Sequence, residues 1–406
     1  MLDFEFSKEH EMVRRTVREF AQAELAPRVT MFDEEARMPN EVIALLAKQN
    51  LLALTVSSKY GGLEADPVLV GVIAEELARA DISCAVPTFY LVQAAWGHIL
   101  DLYGTDVAKE AILPSAVKGR AFLGIGSTEP DVGSDVVNMR TVARHDGDRY
   151  VLNGEKMFIS GVKETMEQMP EGGGHLTLAK TNPVMGARGI SLFFVPLKTA
   201  KGPTKGISIN VLEDWGRRGI STGGFNMDGV EIPAEYLLGQ ENKGFFLAME
   251  GFDYARAIIG VVCCGAAMAC IERSMEYIKM RSTFGTPIAR YEGVQFKLAE
   301  NWTMLEAFRL LAYRALWTYG RNRKGQATRM EVAKACAMAK LHAPMVAFQA
   351  INDAIQWYGA YGYTRDSQLE LALKGVRSYY WAEGAAEIMR VIVARELLGK
   401  DFVATK

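Results

Sequence analysis

The spacing of the apolar residues changes twice along this chain, and no other feature narrows its fold so far. Up to about residue 120 the spacing is helical. Ser7 stands at a natural N-cap with Glu9 in the first turn, and Val13, Val17 and Phe20 follow at i, i+4 and i+7. Residues 41–54 (EVIALLAKQNLLAL) and 70–80 (VGVIAEELARA) continue the pattern on either side of the Gly61–Gly62 turn. From about 121 to 240 the period drops to two. FLGIGSTE, RYVLNGEKMFIS, GISLFFVPL, GISINVLEDWG and GGFNMDGVEIP are short runs punctuated by Gly, Pro and Asp, which predicts an antiparallel sheet or small barrel. Asn153–Gly154 is expected to form a type I′ hairpin turn, because both residues tolerate positive φ. Pro170–Gly174 (PEGGG) reads as an extended solvent loop. From about 241 onward three long helical patterns return, the last containing Pro344, which should kink or restart it. Helices of that length pack as a bundle of four. The fold class is therefore α+β multidomain: an N-terminal helical domain (1–120), a middle β domain (121–240) and a C-terminal four-helix bundle (241–406).

Composition serves mainly to exclude. A chain of 406 residues buries enough core to need no disulfide or metal. Its five cysteines (84, 263, 264, 270, 336) form no CxxC pair and its five histidines are scattered, so neither a metal site nor a Ser-His-Asp triad is expected. Buried thiols in a reducing cytoplasm is the expectation. Net charge −2 without a basic stripe argues against nucleic acid. No stretch approaches the roughly 18 uninterrupted apolar residues of a membrane span. The N-terminus MLDFEFSKEHEMVRR carries acids and lacks the apolar core of a secretory signal. GxGxxG after a strand and GxxxxGK[ST] are both absent, which argues against Rossmann and P-loop sites.

Four segments hold side chains suited to chemistry. Residues 127–136 (STEPDVGSDV) read as a strand end entering a turn rich in hydroxyls and N–H groups, with Gly133 admitting a close ligand. Such donors can bond the polar edge of a heteroaromatic ring; a capped surface turn is the plain alternative. In residues 154–161 (GEKMFISG), alternating strand positions put Phe158 and Ser160 on one face, to stack on and bond a flat ligand, unless Phe158 is a core residue. Residues 281–285 (RSTFG) close a long helix, where Arg281 can grip a pyrophosphate or simply complement the helix dipole. Glu383, in residues 381–387 (WAEGAAE), lies in a small apolar turn between helical stretches. Partial desolvation there would raise its pKa toward the range of a general base; an acid serving a helix N-terminus is the alternative.

In their order and spacing these segments resemble the acyl-CoA dehydrogenase family over nearly the whole chain. The matching residues are TEPDVGSD (128–135), NGEKMFIS (153–160), DYAR (253–256), RSTFG (281–285), QWYGAYG (356–362) and EGAAEI (383–388) followed by Ala394-Arg395. The resemblance implies FAD as cofactor and an acyl-CoA substrate. Ile125, Ser127, Thr128, Gly133 and Ser134, with Phe158, Ile159 and Ser160, would line the flavin ring. Arg281, Thr283 and Phe284 would hold the ADP half with Gln356 and Gly359, across a subunit interface, and Ala385 and Glu387 would complete the cofactor site. Ser134, Asp253, Arg256, Gly384 and Arg395 would contact the CoA thioester. Glu383 matches the catalytic base, which takes the substrate α-proton while the β-hydrogen leaves as hydride to flavin N5. Some members place the base where Ala255 stands, and alanine cannot serve. Electron-transferring flavoprotein as acceptor and a homotetramer (a dimer of dimers) are also implied.

Departures from the family pattern bear on the substrate. Ala382 replaces a common aromatic before the base, which opens the pocket to a branched, cyclic or bulky acyl group beside Trp381. Ala385 replaces a common Thr, and Glu292 and Glu387 stand where Gln is usual. Residues 84–89 (CAVPTF) lack the Arg with which glutaryl-CoA members bind a distal carboxylate, so a dicarboxylyl substrate is not expected. An enoyl-CoA reductase, an oxidase or a carrier-protein thioester dehydrogenase would share this fold.

Overall fold

A computed structural model describes residues 5–402; the first four residues of the N-terminal stretch lie outside them. The chain opens with α1 (Lys8–Glu24), α2 (Val29–Glu34), α3 (Asn40–Lys48), α4 (Pro67–Ala80), α5 (Ala85–Tyr103) and α6 (Asp106–Val117). Capping chemistry sets the starts. Ser7 accepts from the His10 N–H, and Asp66 accepts from Val68 and Leu69 N–H groups ahead of a Pro67 already shaped for a first turn. α3 ends short of the apolar stretch 41–54, because Asn50 turns the chain at φ +54° and sends Leu51 and Leu52 into the core.

Eight strands follow: β1 (Phe122–Gly126), β2 (Val142–Asp146), β3 (Arg149–Ser160), β4 (Gly173–Lys180), β5 (Ile190–Thr199), β6 (Gly202–Pro203), β7 (Ile207–Leu212) and β8 (Thr222–Pro233). They form one sheet in the order β6-β5-β4-β2-β3-β8-β7, with β1 paired parallel to β4. Period two decides which face each residue buries. In β5, Ile190, Leu192 and Phe194 join the core shared with the helices. Phe193, Val195 and Leu197 join a second core with Leu152, Phe225 and Val230.

Two turn readings change. Asn153–Gly154 is no hairpin turn but an irregularity within the continuous strand β3, at the register shift between Leu152 and Gly154. Gly154 sits at φ +146°, where a Cβ would lie 2.5 Å from Thr141 Oγ1, and Asn153 Oδ1 accepts from Gly229 N–H at 2.9 Å. The two-residue hairpin loop falls instead at Gly147–Asp148, since Asp146 pairs with Arg149. PEGGG is likewise no solvent loop. Gly173 opens β4 at φ +136°, and a Cβ there would meet Phe122 O at 2.1 Å, so only glycine lets β1 approach.

The second helical part comprises α7 (Gly244–Met280), the short hairpin β9 (Ser282–Thr283) and β10 (Thr286–Pro287), α8 (Glu292–Arg323), α9 (Arg329–Tyr358), α10 (Leu369–Ser378) and α11 (Ala386–Leu398). α7 corrects one sequence reading. Residues 257–271 are unbroken apolar, and the helix is long and apolar enough to cross a membrane. That apolar stretch is wholly buried, so it is the central core helix, contacting α4, α5, α8 and α9; an all-round apolar helix looks the same in lipid and in protein. α9 also runs unbroken through Pro344. Its flanks are packed on α7 and α8, which offsets the roughly 3 kcal/mol an interior proline costs. All five cysteines are buried free thiols.

Candidate active site

Glu383 lies in the turn between α10 and α11, at φ +58°. A left-handed glutamate is strained, and two buried cations hold the turn that strains it. Arg256 of α7 donates from Nε to Glu383 O at 2.8 Å, while its Nη1 pairs with Asp253 at 2.7 Å. Asp253 in turn accepts from Arg329. Lys340 of α9 donates to Gly384 O and, at 3.1 Å, to Tyr380 O. The next residue must be small: at Gly384, φ +106°, a Cβ would stand 3.0 Å from Met389 Cε and 3.3 Å from Arg256 Nη2.

The backbone of Glu383 is thus bonded while its carboxyl is not. The residue is half-buried, but Oε2 is shut off from solvent and has no hydrogen-bond partner. Burial pushes its pKa up from 4.5 to about 7, against the pull of Arg256, Lys340 and Arg217. Burial also brings Lys340, on α9 beside this turn, down to about 8. Ala255 is buried in α7 and offers no rival base.

The middle domain presents a second cluster. Glu129 Oε1 accepts from Thr141 N–H at 2.9 Å, Thr141 Oγ1 at 2.5 Å and Lys156 Nζ at 2.9 Å; Oε2 accepts from Arg140 N–H at 2.6 Å. Lys156, wholly buried, also donates to Ser127 O at 3.2 Å, and Met157 N–H donates to Thr128 O at 2.9 Å. This buried pair pins the 127–132 turn to β3. Ile125 and Thr128 are half-buried, Ser127 is buried, and Gly133 and Ser134 are exposed, with open space where a Gly133 Cβ would stand.

Phe158 departs from the simple alternation. A register shift between Met157 and Ile159 places it in a bulge at φ +60° and leaves it 63% exposed, while Ile159 is buried and Ser160 is half-buried. Arg281, Thr283 and Phe284 sit on the exposed β9–β10 hairpin, whose turn residues Phe284 (φ +48°) and Gly285 (φ +76°) carry Phe284 to 97% exposure. Gln356 and Gly359 are exposed at the end of α9, at the same end of the bundle, because Tyr277 and Tyr358 stack at 4.0 Å. Ala385 caps α11 without a side-chain bond, Glu387 pairs with Arg390 at 3.2 Å, and Glu292 begins α8 on its exposed surface. Asp253, Arg256 and Gly384 are therefore gathered at the Glu383 turn. Among the described residues Ser134 and Arg395 make no side-chain bond to it, and Arg395 pairs with Glu396 at 3.0 Å.

Sequence reasoning missed Lys340, Arg217 and the Glu129–Lys156 pair. One signal was available for Lys340, a lone charge amid ACAMA and LHAP on α9.

The molecule is a helical domain, a β domain and a helical bundle, with the Glu383 carboxyl raised to about 7 in a turn of the last. The chain belongs to the acyl-CoA dehydrogenase family. The family's N-terminal, middle and C-terminal domain profiles match residues 7–120, 124–230 and 242–398. It is 33% identical over 396 residues to a 3-(aryl)acrylate reductase of Clostridium sporogenes, covering 97% of this chain and 99% of that one. It is 33% identical over 398 residues to a cyclohexane-1-carbonyl-CoA dehydrogenase of Geobacter metallireducens, with the same coverage. A glutaryl-CoA dehydrogenase of Mycobacterium smegmatis solved with FADH2 superposes with a TM-score of 0.86 at 26% identity, over 99% of this chain and 97% of that one. The protein is thus an FAD-dependent oxidoreductase of the acyl-CoA dehydrogenase type.

Proposed function

We propose that Glu383 is the base that removes the α-proton of a short, branched or cyclic acyl-CoA, giving the trans-2-enoyl-CoA. The observation that carries this is its carboxyl, raised to about 7 with Oε2 unpartnered, on a backbone fixed by Arg256 and Lys340. A base is most effective when its pKa lies near the working pH, and a free oxygen can meet the proton without first breaking a bond. Bound FAD supplies the oxidising equivalent, accepting the β-hydrogen with its electron pair. Asp253 and Arg256 act chiefly by positioning the base. Gly384 keeps the thioester side of the turn clear, and Ser134 and Arg395 remain further candidates for CoA.

The residues present suit FAD. Phe158 is a strained, exposed aromatic next to Met157, whose N–H donates to Thr128 O, which suits a flat ring there; Ile125, Ser127, Thr128, Gly133, Ser134, Ile159 and Ser160 complete the proposed flavin side. Arg281, Thr283, Phe284, Gln356 and Gly359 share one exposed end of the bundle, as a site completed by a neighbouring subunit requires; Ala385 and Glu387 lie at the start of α11. Phe296, Met304, Leu310 and Trp317 expose apolar surface along α8, which favours burial in a homotetramer. Three domains divided at about residues 120 and 240, a cytoplasmic location and electron-transferring flavoprotein as acceptor complete the reading; the buried free thiols suit a reducing compartment.

Ala382 favours a broad acyl group, and Trp381 is 60% exposed with Arg377 4.8 Å above its ring. A reductive role is the second reading, favoured by the likeness to an arylacrylate reductase. Anaerobic mixing of the yellow holoenzyme with a panel of acyl-CoAs tests both. Bleaching of the flavin with formation of enoyl-CoA is expected; enoyl-CoA oxidising the reduced enzyme, without bleaching by any acyl-CoA, would establish the reductase instead.

A further inference from the structure

A buried histidine underlies the strand end that carries Ser160. His175, in β4, is wholly buried, and its Nε2 lies 3.1 Å from Ser160 O at the end of β3. A carbonyl only accepts, so Nε2 carries the hydrogen and donates it. Nδ1 is then the acceptor of a neutral ring, and it is shut off from solvent with no hydrogen-bond partner. Burial brings the imidazole down to about 4, which keeps the ring neutral and in this one tautomer.

Three glycines make room for this ring and its neighbours. His175 faces Gly124 across the parallel β1–β4 pair, and a Cβ on Gly124 would stand 2.6 Å from His175 Cδ2. A Cβ on Gly126 would meet Phe225 Cζ at 2.8 Å, and one on Gly161 would meet Phe122 Cε1 at 2.2 Å. The rings of Phe122 and Phe225 lie 5.8 and 5.6 Å from the imidazole. β1 carries Ile125 between the first two glycines and leads into Ser127 and Thr128, while β3 ends on Phe158, Ile159 and Ser160 just before the third. The imidazole thus stands under both segments, with its one N–H spent on the last residue of the second. A phenylalanine would fill the slot without burying an unpartnered nitrogen, so packing does not account for the donor.

We propose that His175 is a positioning residue for the flavin: its Nε2–H fixes the Ser160 carbonyl, and thereby holds the Ser160 side chain ready for the polar edge of the ring. The inference rests on the reading that Ser160 borders the flavin. The sheet alone holds this end weakly. The β3–β8 register shifts between Met157 and Ile159, and Gly161 turns the chain at φ +83° directly after Ser160. Only Ile159 and Ser160 remain paired beyond the Phe158 bulge, and the bond from β4 restrains that short end from a second direction. A side chain fixed in advance spares the entropy of ordering it when the ligand binds.

The test uses the FAD-loaded enzyme and two substitutions that separate the bond from the packing. His175→Phe keeps a ring and removes the donor; His175→Gln removes the ring and keeps an N–H near the place of Nε2. FAD release, followed by recovery of flavin fluorescence, should show a Kd about tenfold higher for His175→Phe and within about twofold of wild type for His175→Gln. Ser160→Ala should weaken FAD by a similar factor, and adding His175→Phe to it should cost little more, because the two act through one contact. Unchanged binding in His175→Phe, equal losses in both His175 variants, or losses that simply add to that of Ser160→Ala would overturn the inference. Ser160→Ala without effect removes the underlying reading of Ser160 instead. Should neither His175 variant fold, the slowly exchanging imidazole Nε2–H proton of wild-type His175 decides by NMR. It should shift when dithionite reduces the flavin, and an unmoved signal overturns the inference.

Discussion

Glu129 and Glu383 take the same side chain into the interior and meet opposite surroundings. Burial alone would raise both. At Glu129 the buried Lys156 and the donors of Arg140 and Thr141 more than offset it, and the carboxyl falls below its ordinary 4.5. At Glu383 three cations act only through space, none bonds Oε2, and burial prevails, giving a pKa of about 7. Direct bonds make a carboxylate a structural strut; their absence leaves it ready to exchange a proton. The same protein thus spends its hydrogen bonds on the side chain of one glutamate and on the backbone of the other.

Four substitutions break or sharpen that contrast. Glu383→Gln is expected to keep FAD and lose flavin reduction by about 10³-fold or more in anaerobic stopped flow; unchanged reduction would move the base elsewhere. Lys156→Met should destabilise the fold by about 3 kcal/mol, since Glu129 is left charged, buried and short of its cation. A smaller loss of stability in thermal unfolding would mean that the N–H donors suffice alone.

The pH dependence of stability should differ in sign between the two residues. A raised carboxyl such as Glu383 contributes stability that is complete below its unfolded value near 4.5 and lost as pH rises through about 7. Glu383→Gln should therefore be neutral in acid and stabilising by about 2 kcal/mol above pH 7. Glu129, with a lowered pKa, contributes stability present above 4.5 and lost as pH falls through its folded value. Melting curves of each Gln variant from about pH 2 to 8 compare them, and parallel profiles would refute the contrast. The smallest effect is expected from Thr141→Val, which removes one hydroxyl donor from Glu129 at a cost of about 1 kcal/mol; it should leave flavin reduction untouched.

Much of the architecture was legible because periodicity is local. The switch from 3.6 to two and back predicted helices, strands and helices, and Ser7 began α1 as its type and position suggested. Local rules failed where a distant chain segment settled the outcome. Asn153–Gly154 has hairpin chemistry, but contact with Thr141 and Gly229 makes it part of a strand. Gly173 has loop chemistry until Phe122 needs its missing side chain. Pro344 breaks an isolated helix, though not one held on both flanks.

The candidate site divides along the same line. By itself the sequence determined the order of helical and β parts and a carboxylate in an apolar turn at 383, because each depends on neighbours within a few residues; that no base stands at 255 is what the family resemblance implies. Tertiary structure alone decided that Arg256 and Lys340 hold the backbone of that turn and not its carboxyl, that Lys156 meets Glu129, and that His175 meets Ser160 O. Charges far apart in the chain interact strongly only once folding removes the water between them, and no local pattern records which ones folding will bring together.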